Sequence, residues 1–426
     1  MKKWGLPFLV AVMLGLLLRA WVKNIAPGLP LPVYIYDLGR LAALLGFVLL
    51  TLQYVLSTRW RIIERGIGLD RLLAVHRILG VVVIALFLAH PILFFLSETL
   101  QGYSTPLSPA KVIGIIALLG LLFAGLTALL SNKIRWKYET WKAFHMAAFF
   151  VFPVGFVHAF LIGSDLKQSM VRLLWVILAV VYSVIVLVRI GLRIRIRRHP
   201  YRLAEIKKES HDTWTLVLEG TPIKHQPGQF MFLQLVQNDR ISEPHPFTIS
   251  SSPGSSSLSV TVKSVGDFTR TLPGMRTPGR AFVDAPFGTF SYQNHDAEDL
   301  VFIAGGIGIT PFLSMLRDMR DRRLHKRVTL FWGNKRDEDI ICRKELDEMV
   351  SKNPGLEIIH VLSRQEDWQG EKGHINTDML GRYKPRLPGA KCFICGPPTF
   401  LKDIRKALQA LGVPRKQIYW ERFALR

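Results

Sequence analysis

The sequence predicts a multi-domain chain: a six-helix transmembrane bundle, then a small antiparallel β-barrel, then a doubly wound α/β domain. Three observations carry this prediction. Apolar residues crowd into the first half of the 426 residues, in runs close to the roughly 20 residues a helix needs to cross a bilayer. Residues 203–290 hold short alternating β-rich runs (TWTLVLEG, FMFLQLV, SLSVTVKSV) broken by Gly, Pro and Ser. From about 299 onward strands, glycine turns and helices alternate, the pattern of a parallel sheet covered on both faces. The boundaries fall at 1–198, 199–295 and 296–426.

The six spans lie near 4–21, 33–56, 72–96, 109–131, 140–162 and 170–192. Lys and Arg give the orientation. The N-terminus and the segments 57–71, 132–142 and 189–198 carry 15 of them, against 5 in the alternate loops. The positive-inside rule therefore puts both ends in the cytoplasm. Lys2 and Lys3 ahead of a short apolar run also suit a signal peptide. Arg19 and Trp21 stand where a small-residue cleavage site would be, which favours a retained helix. The net charge of +23 is concentrated at membrane edges (Arg189, Arg193, Arg195, Arg197, Arg198), so it suits anionic headgroups and not nucleic acid. Cys342, Cys392 and Cys395 imply no disulfide framework, and a lone CxxC makes a poor zinc site.

Two spans each carry two histidines. His76 and His90 are fourteen residues apart, and His145 and His158 are thirteen apart. On α-helices these spacings rise about 21 and about 20 Å, placing one histidine of each pair near either face of a hydrocarbon layer about 30 Å thick. Intramembrane ionisable residues are rare and functional, and imidazole suits iron, so the four could hold two stacked haems. Both helices run outward, so depth pairs His76 with His145 at an inner position and His90 with His158 at an outer one. At about 100° per residue the first pair returns to within about 40°, whereas the second is left about 140° apart. Pro153 lies between them as a source of distortion. The competing reading makes these histidines interhelical hydrogen-bonders or parts of a proton path.

Arg40 is a second costly charge inside a span. It could face inward to meet a haem propionate or the oxidant's negative charge; snorkelling to headgroups and pairing with Asp37 are the alternatives. Farther along, GGIGITP (305–311) follows an expected strand and opens a helix, the arrangement that brings backbone amides to a phosphate. CGPP (395–398) ends a later strand of the same sheet, so both segments should face one crevice.

HPFTISS (245–251), VKSVGDFT (262–269), DAPFG (284–288), GGIGITP and CGPP, in that order, resemble the flavin- and nicotinamide-binding half of the ferredoxin-reductase superfamily. With the histidine pairs ahead of them, nearly the whole chain resembles transmembrane NADPH oxidases and ferric reductases. The resemblance implies that His245, Pro246, Phe247 and Thr248 line FAD, and that Gly266, Asp267, Phe268 and Thr269 approach its pyrophosphate. It places the nicotinamide nucleotide's pyrophosphate at Gly306, Gly308, Thr310 and Pro311, and the nicotinamide beside Cys395 and Gly396. Glu421 and Phe423 match the family's acidic residue and stacking aromatic, although Ala424, Leu425 and Arg426 follow here. Arg336 and Arg364 fall where NADP-selecting members place arginines, and no repelling acid is expected beside them. Thr248, Cys395, Phe423 and Arg40 are thus the residues expected nearest the chemistry. Tyr138 and Glu139 are family-like residues expected to meet the flavin domain, or else to belong to a plain amphipathic loop.

The implied activity is electron transfer from NADPH through FAD and two haems b to an acceptor outside the membrane. Oxygen, giving superoxide, leads; Fe(III) is the rival, and a periplasmic redox protein is a third acceptor. Many eukaryotic oxidases carry a further histidine one turn beyond the outer ligand, where this chain has Phe94. A transporter or channel with an attached nucleotide sensor is the reading from another class. The compact length and lack of an N-x-S/T sequon suit a bacterial plasma membrane, with no obligatory protein partner.

Overall fold

The computed structural model describes residues 5–22, 28–58, 60–131, 138–383, 387 and 389–422. The chain divides into two compact units, Met1–Arg193 and Ile194–Arg426.

The first unit is helical: α1 (Gly5–Val22), α2 (Leu31–Ser57), α3 (Arg61–Ile67), α4 (Leu69–Leu100), α5 (Pro109–Leu130), α6 (Tyr138–Met146), α7 (Val151–Ile162) and α8 (Ser169–Arg198). Five stretches among the described residues are long and apolar enough to cross a membrane: Leu31–Ser57, Arg71–Leu100, Pro109–Leu130, Thr140–Ile162 and Ser169–Arg198. The first expected span corresponds to α1, whose apolar run, Val10–Arg19, is shorter. The core gathers around α2, where Phe47, Val48, Leu50 and Tyr54 pack with Phe152, Trp175, Leu178 and Ile185. Small residues allow α4 to come close. A Cβ at Gly39 would lie 2.7 Å from the Phe94 ring.

The fifth span is not one α-helix. Ala147–Phe150 form a 3-10 turn between α6 and α7. Pro153 accounts for part of this. An α-helix would satisfy the Phe149 carbonyl with the N–H of residue 153, which proline lacks. The Tyr182 hydroxyl from α8 donates to that carbonyl at 2.6 Å, and the Tyr54 hydroxyl from α2 donates to the Ala148 carbonyl at 2.6 Å.

The second unit begins as an antiparallel sheet: β1 (Tyr201–Lys208), β2 (Thr213–Glu219), β3 (Phe230–Gln237), β4 (Arg240–Ile241), β5 (His245–Thr248), β6 (Leu258–Lys263) and β7 (Gly279–Phe287), with α9 (Asp267–Thr271) between the last two. The order is β4-β3-β7-β1-β2-β6, with β5 paired to β3. An isolated bridge, Ile249 to Val260, links the end of β5 to β6 and draws the sheet toward closure. Leucine, valine and methionine side chains fill its interior (Leu203, Leu216, Met231, Leu233, Val260).

The remainder is a parallel sheet with helices: β8 (Asp299–Gly305), α10 (Thr310–Asp321), β9 (Arg327–Asn334), α11 (Arg343–Lys352), β10 (Leu356–Leu362), β11 (Glu371–Lys372), α12 (Thr377–Arg382), β12 (Lys391–Gly396), α13 (Pro398–Ala410) and β13 (Ile418–Arg422). The order is β11-β10-β9-β8-β12-β13. The strands are apolar on both faces, as a sheet covered on both sides requires. Phe302, Trp332, Phe393 and Cys395 pack on one side with Phe312 of α10, while Ile303, Phe331, Cys392 and Ile394 pack on the other with Leu401 of α13. The winding direction reverses between β8 and β12, so a ligand crevice is expected at their carboxyl ends.

Candidate functional site

The bundle brings the four histidines together in two rungs. The His76 and His145 ring centres lie 6.1 Å apart with their planes at 79°, and those of His90 and His158 lie 6.3 Å apart at 76°. Two imidazoles across one metal ion, each nitrogen about 2 Å from it and about 1 Å from its own ring centre, sit about 6 Å apart. The spacing therefore fits a bis-histidine iron. Hydrogen bonding at the second nitrogen supports the fit. Nδ1 of His90 lies 3.0 Å from the Gly39 carbonyl, Nδ1 of His158 2.7 Å from that of Ala110, and Nδ1 of His145 3.4 Å from that of Ala124. A carbonyl only accepts, so Nδ1 carries the proton and Nε2 is left with its lone pair for a metal.

Space around the rungs is set by glycine and aromatic side chains. A Cβ at Gly114 of α5 would come within 2.5 Å of the His158 ring. Trp141 stacks on His145 at 5.4 Å, and Phe94 meets His90 edge-on at 4.5 Å while stacking on Tyr36. On the His76–His145 rung, Gln53 donates to the His76 carbonyl at 2.9 Å.

Arg40 lies one residue from Gly39, whose carbonyl faces His90. Its guanidinium donates to Asp37 at 2.7 Å and, through two nitrogens, to both carboxylate oxygens of Asp165. Of the readings open in the sequence, the structure displays the pairing with Asp37. It adds a second, bidentate partner from the turn after α7 that sequence reasoning missed. The available signal was an acid seven residues beyond His158, in a loop facing an intramembrane arginine.

In the second unit, HPFT forms β5 and GDFT forms the start of α9. The His245 and Phe268 rings stack at 3.9 Å, so the two segments adjoin. Thr248 is buried, and Pro246 and Phe247 are half-buried beside it. The Thr269 hydroxyl accepts from the Val265 and Gly266 amides, both at 2.9 Å, and so fixes the turn ahead of α9. From α10, Ser314 donates to the Ser251 carbonyl and Arg317 to the Ser250 carbonyl, each at 2.7 Å. The strand of the first motif is thereby tied to the helix of the glycine turn.

At the carboxyl ends of β8 and β12 the backbone shapes a crevice. Gly306 has φ +54°, and a Cβ at Gly308 would lie 2.2 Å from the Cys395 carbonyl oxygen. GGIGITP and CGPP therefore lie against each other in a way that only glycine allows. Thr310 and Pro311 open α10, where proline's missing N–H costs nothing, and the helix N-terminus favours an anion.

Cys392 and Cys395 point to opposite faces of the sheet, so the CxxC cannot chelate. Burial first, then the neighbouring Glu421 carboxylate, push the Cys395 thiol well above its ordinary pKa, and the group is a neutral thiol. Cys395 pairs with Glu421 in the β12–β13 register. Phe423 lies outside the described residues, as do the Tyr138 and Glu139 side chains.

Arg336 and Arg364 each lie two residues beyond the carboxyl ends of the neighbouring strands β9 and β10. The Arg364 amide donates to the Lys335 carbonyl at 2.9 Å, which adds Lys335 to the same edge. The expectation that no acid stands beside Arg336 does not hold: the Glu338 carboxylate approaches it to 3.8 Å. Both groups are exposed, so water screens the pair and it is worth little.

Three domain families match in sequence order: a ferric reductase like transmembrane component over 42–156, an FAD-binding domain over 196–305, and an oxidoreductase NAD-binding domain over 302–406. Together they make an NADPH oxidase/ferric reductase-like architecture. The chain is thus an oxidoreductase with FAD- and NAD-binding domains behind a ferric-reductase-like membrane component. Curated relatives include NADH-cytochrome b5 reductase 2 of Mycosarcoma maydis, 28% identical over 51% of this chain and 71% of its own. The glycine betaine monooxygenase reductase subunit of Pseudomonas aeruginosa is 30% identical over 53% of this chain and 64% of its own. Among solved structures, an Amycolatopsis cytochrome P450 reductase covers 54% of this chain and 70% of its own at 22% identity and a TM-score of 0.48. The alignments span between 54% and 71% of the lengths of these and other leading curated relatives.

Proposed function

We propose that the chain takes electrons from NADPH and passes them through FAD and two haems b to molecular oxygen across a bacterial plasma membrane, giving superoxide. The observation that carries this reading is the two histidine rungs at 6.1 and 6.3 Å. His76 and His145 would hold the inner haem, and His90 and His158 the outer, with both chain ends cytoplasmic. FAD held there would supply the change from a two-electron hydride donor to single electrons, and haems held by the histidines would supply one-electron carriers across the hydrocarbon layer.

The chain's residues bind, orient and insulate. His245, Pro246, Phe247 and Thr248 would line the flavin, and the turn of Gly266, Asp267, Phe268 and Thr269 would offer its amides to the pyrophosphate. Gly306, Gly308, Thr310 and Pro311 would bring backbone amides to the second dinucleotide, with Arg336 and Arg364 selecting its 2′-phosphate. Cys395, Gly396, Glu421 and Phe423 would flank the nicotinamide. Arg40 would stand beside the outer rung, its charge already shared with Asp37 and Asp165.

That sharing favours one second reading, in which Fe(III) is the acceptor. A guanidinium held by two carboxylates offers an anionic product little net positive charge. The test is NADPH consumption by detergent-purified protein loaded with haem and FAD, with cytochrome c reduction followed with and without superoxide dismutase. Loss of the cytochrome signal under dismutase, with NADPH still consumed, is the expected result. Negligible oxidation in air that rises on adding chelated Fe(III) would replace oxygen with iron.

A further inference from the structure

His145 and His158 are one residue closer in sequence than His76 and His90, yet each faces its partner at nearly the same ring distance. The 3-10 turn at Ala147–Phe150 accounts for this. A 3-10 residue turns about 120° and rises about 2.0 Å, against about 100° and about 1.5 Å in an α-helix. Four such residues add about 80° of rotation and about 2 Å of rise. The His145–His158 offset drops from about 140° to about 60°, in the same sense as the offset of about 40° along α4, and the rise lengthens to about 21.5 Å against about 21 Å. Thirteen residues with one tight turn thus match fourteen without it, in both depth and direction.

Such a turn has poorer hydrogen-bond geometry than the α-helix it interrupts. The Ala148 carbonyl accepts the Val151 N–H in the shorter i to i+3 pattern, and the Tyr54 hydroxyl as well. The Phe149 carbonyl, which lacks an α-helical donor because residue 153 is proline, accepts the Tyr182 hydroxyl. Both tyrosines come from other helices, and their rings lock together. Tyr54 meets Tyr182 edge-on at 5.3 Å, and Tyr182 stacks on Phe152 at 4.2 Å. In an apolar bundle an unmatched carbonyl is costly, so these hydroxyls favour the backbone path that exposes two successive carbonyls to them.

We propose that Tyr54 and Tyr182 are positioning residues: their hydroxyls hold the 3-10 turn that sets the depth and direction of His145 relative to His158, so that both rungs take a haem. This rests on the haem ligation proposed above.

The test uses the full-length, haem-loaded protein and three variants: Tyr54→Phe/Tyr182→Phe, Tyr182→Phe, and Pro153→Ala. The phenylalanines keep the rings and remove only the donors. Pro153→Ala restores the N–H at 153 and lets the segment close as an α-helix, which strengthens the helix while turning His158 away from its rung. The readouts are haem per chain, the g values of the low-spin iron signals, and the midpoint potentials. Helix content by circular dichroism and ferricyanide reduction by NADPH report folding of the two units. The expected result is that the double variant and Pro153→Ala each lose one haem of two, or shift one low-spin signal and its potential, with helix content kept. Two haems with unchanged g values and potentials in the double variant would overturn the positioning role. Should that variant not fold, Tyr182→Phe decides, since two haems with unchanged g values and potentials there would equally overturn the positioning role of the hydroxyl on the Phe149 carbonyl. A wild-type protein lacking bis-histidine signals would instead overturn the haem reading itself.

Discussion

The two units place their functional groups by opposite means. In the bundle, side chains from different helices meet across a fixed gap, and the backbone serves only to set their depth and rotation. In the proposed nucleotide crevice the backbone itself would be the binding surface, and side chains matter chiefly where they are missing. Gly308 lies so close to the Cys395 carbonyl that no Cβ fits. The difference teaches where each site is vulnerable: the bundle to changes of rotation, the crevice to added atoms.

The strongest test of that contrast removes a rung. His145→Ala or His76→Ala should eliminate the inner haem and bring electron flow across the membrane to background, while ferricyanide reduction by NADPH persists. Two haems per chain in either variant would break the assignment. Next in size, Gly308→Val should push the glycine turn off CGPP and lower NADPH oxidation roughly 100-fold, with both haems retained in the spectrum. A crevice built by side chains would tolerate it.

Gly114→Ala reverses the logic by adding one methyl group in the bundle. The new Cβ would stand 2.5 Å from the His158 ring, so the imidazole must turn. The expected outcome is a shifted outer-haem signal with a stability cost of about 1–3 kcal/mol, read from the low-spin spectrum and thermal unfolding. Arg364→Ala should raise KM for NADPH roughly tenfold, the equivalent of about 1.4 kcal/mol, and leave KM for NADH unchanged. Equal effects on both would remove Arg364 from the 2′-phosphate.

The smallest effect concerns the tie between the motifs. Arg317 donates to Glu345 at 2.6 and 2.9 Å as well as to the Ser250 carbonyl. Burial opposes ionisation of Glu345, but the Arg317 bonds outweigh it and hold the carboxyl below its usual range. A carboxyl depressed in the folded state contributes stability above its unfolded pKa, about 4.3, and loses it as pH falls through the lower folded value. Thermal release of the flavin should therefore fall by a few degrees between about pH 5 and pH 3, and Glu345→Gln should flatten that dependence. An identical pH profile in the variant would remove Glu345 from the linkage.

Much of this was legible beforehand because local chemistry wrote it plainly. The apolar runs, the alternation after 203 and the glycine turns each follow from the solvent or backbone geometry a segment must meet. The angular mismatch between His145 and His158 was also visible, but its resolution was not. Pro153 marked the region, whereas the turn that corrects it lies before the proline and depends on hydroxyls 94 and 33 residues away in sequence. Arg40 was legible as a costly charge, but its partner Asp165 lies 125 residues away, beyond the reach of any local pattern. Arg336 erred in the other direction. The acids of KRDED were adjacent in sequence, and Glu338 does approach the guanidinium.

The sequence by itself determined the order of the parts, which helices carry imidazoles, and which turns place glycine at the end of a strand, because composition and short spacing encode solvent exposure and backbone freedom. Only the tertiary structure decided that thirteen residues would match fourteen. That outcome depends on which carbonyls remain unsatisfied inside an apolar bundle and which distant hydroxyls arrive to meet them.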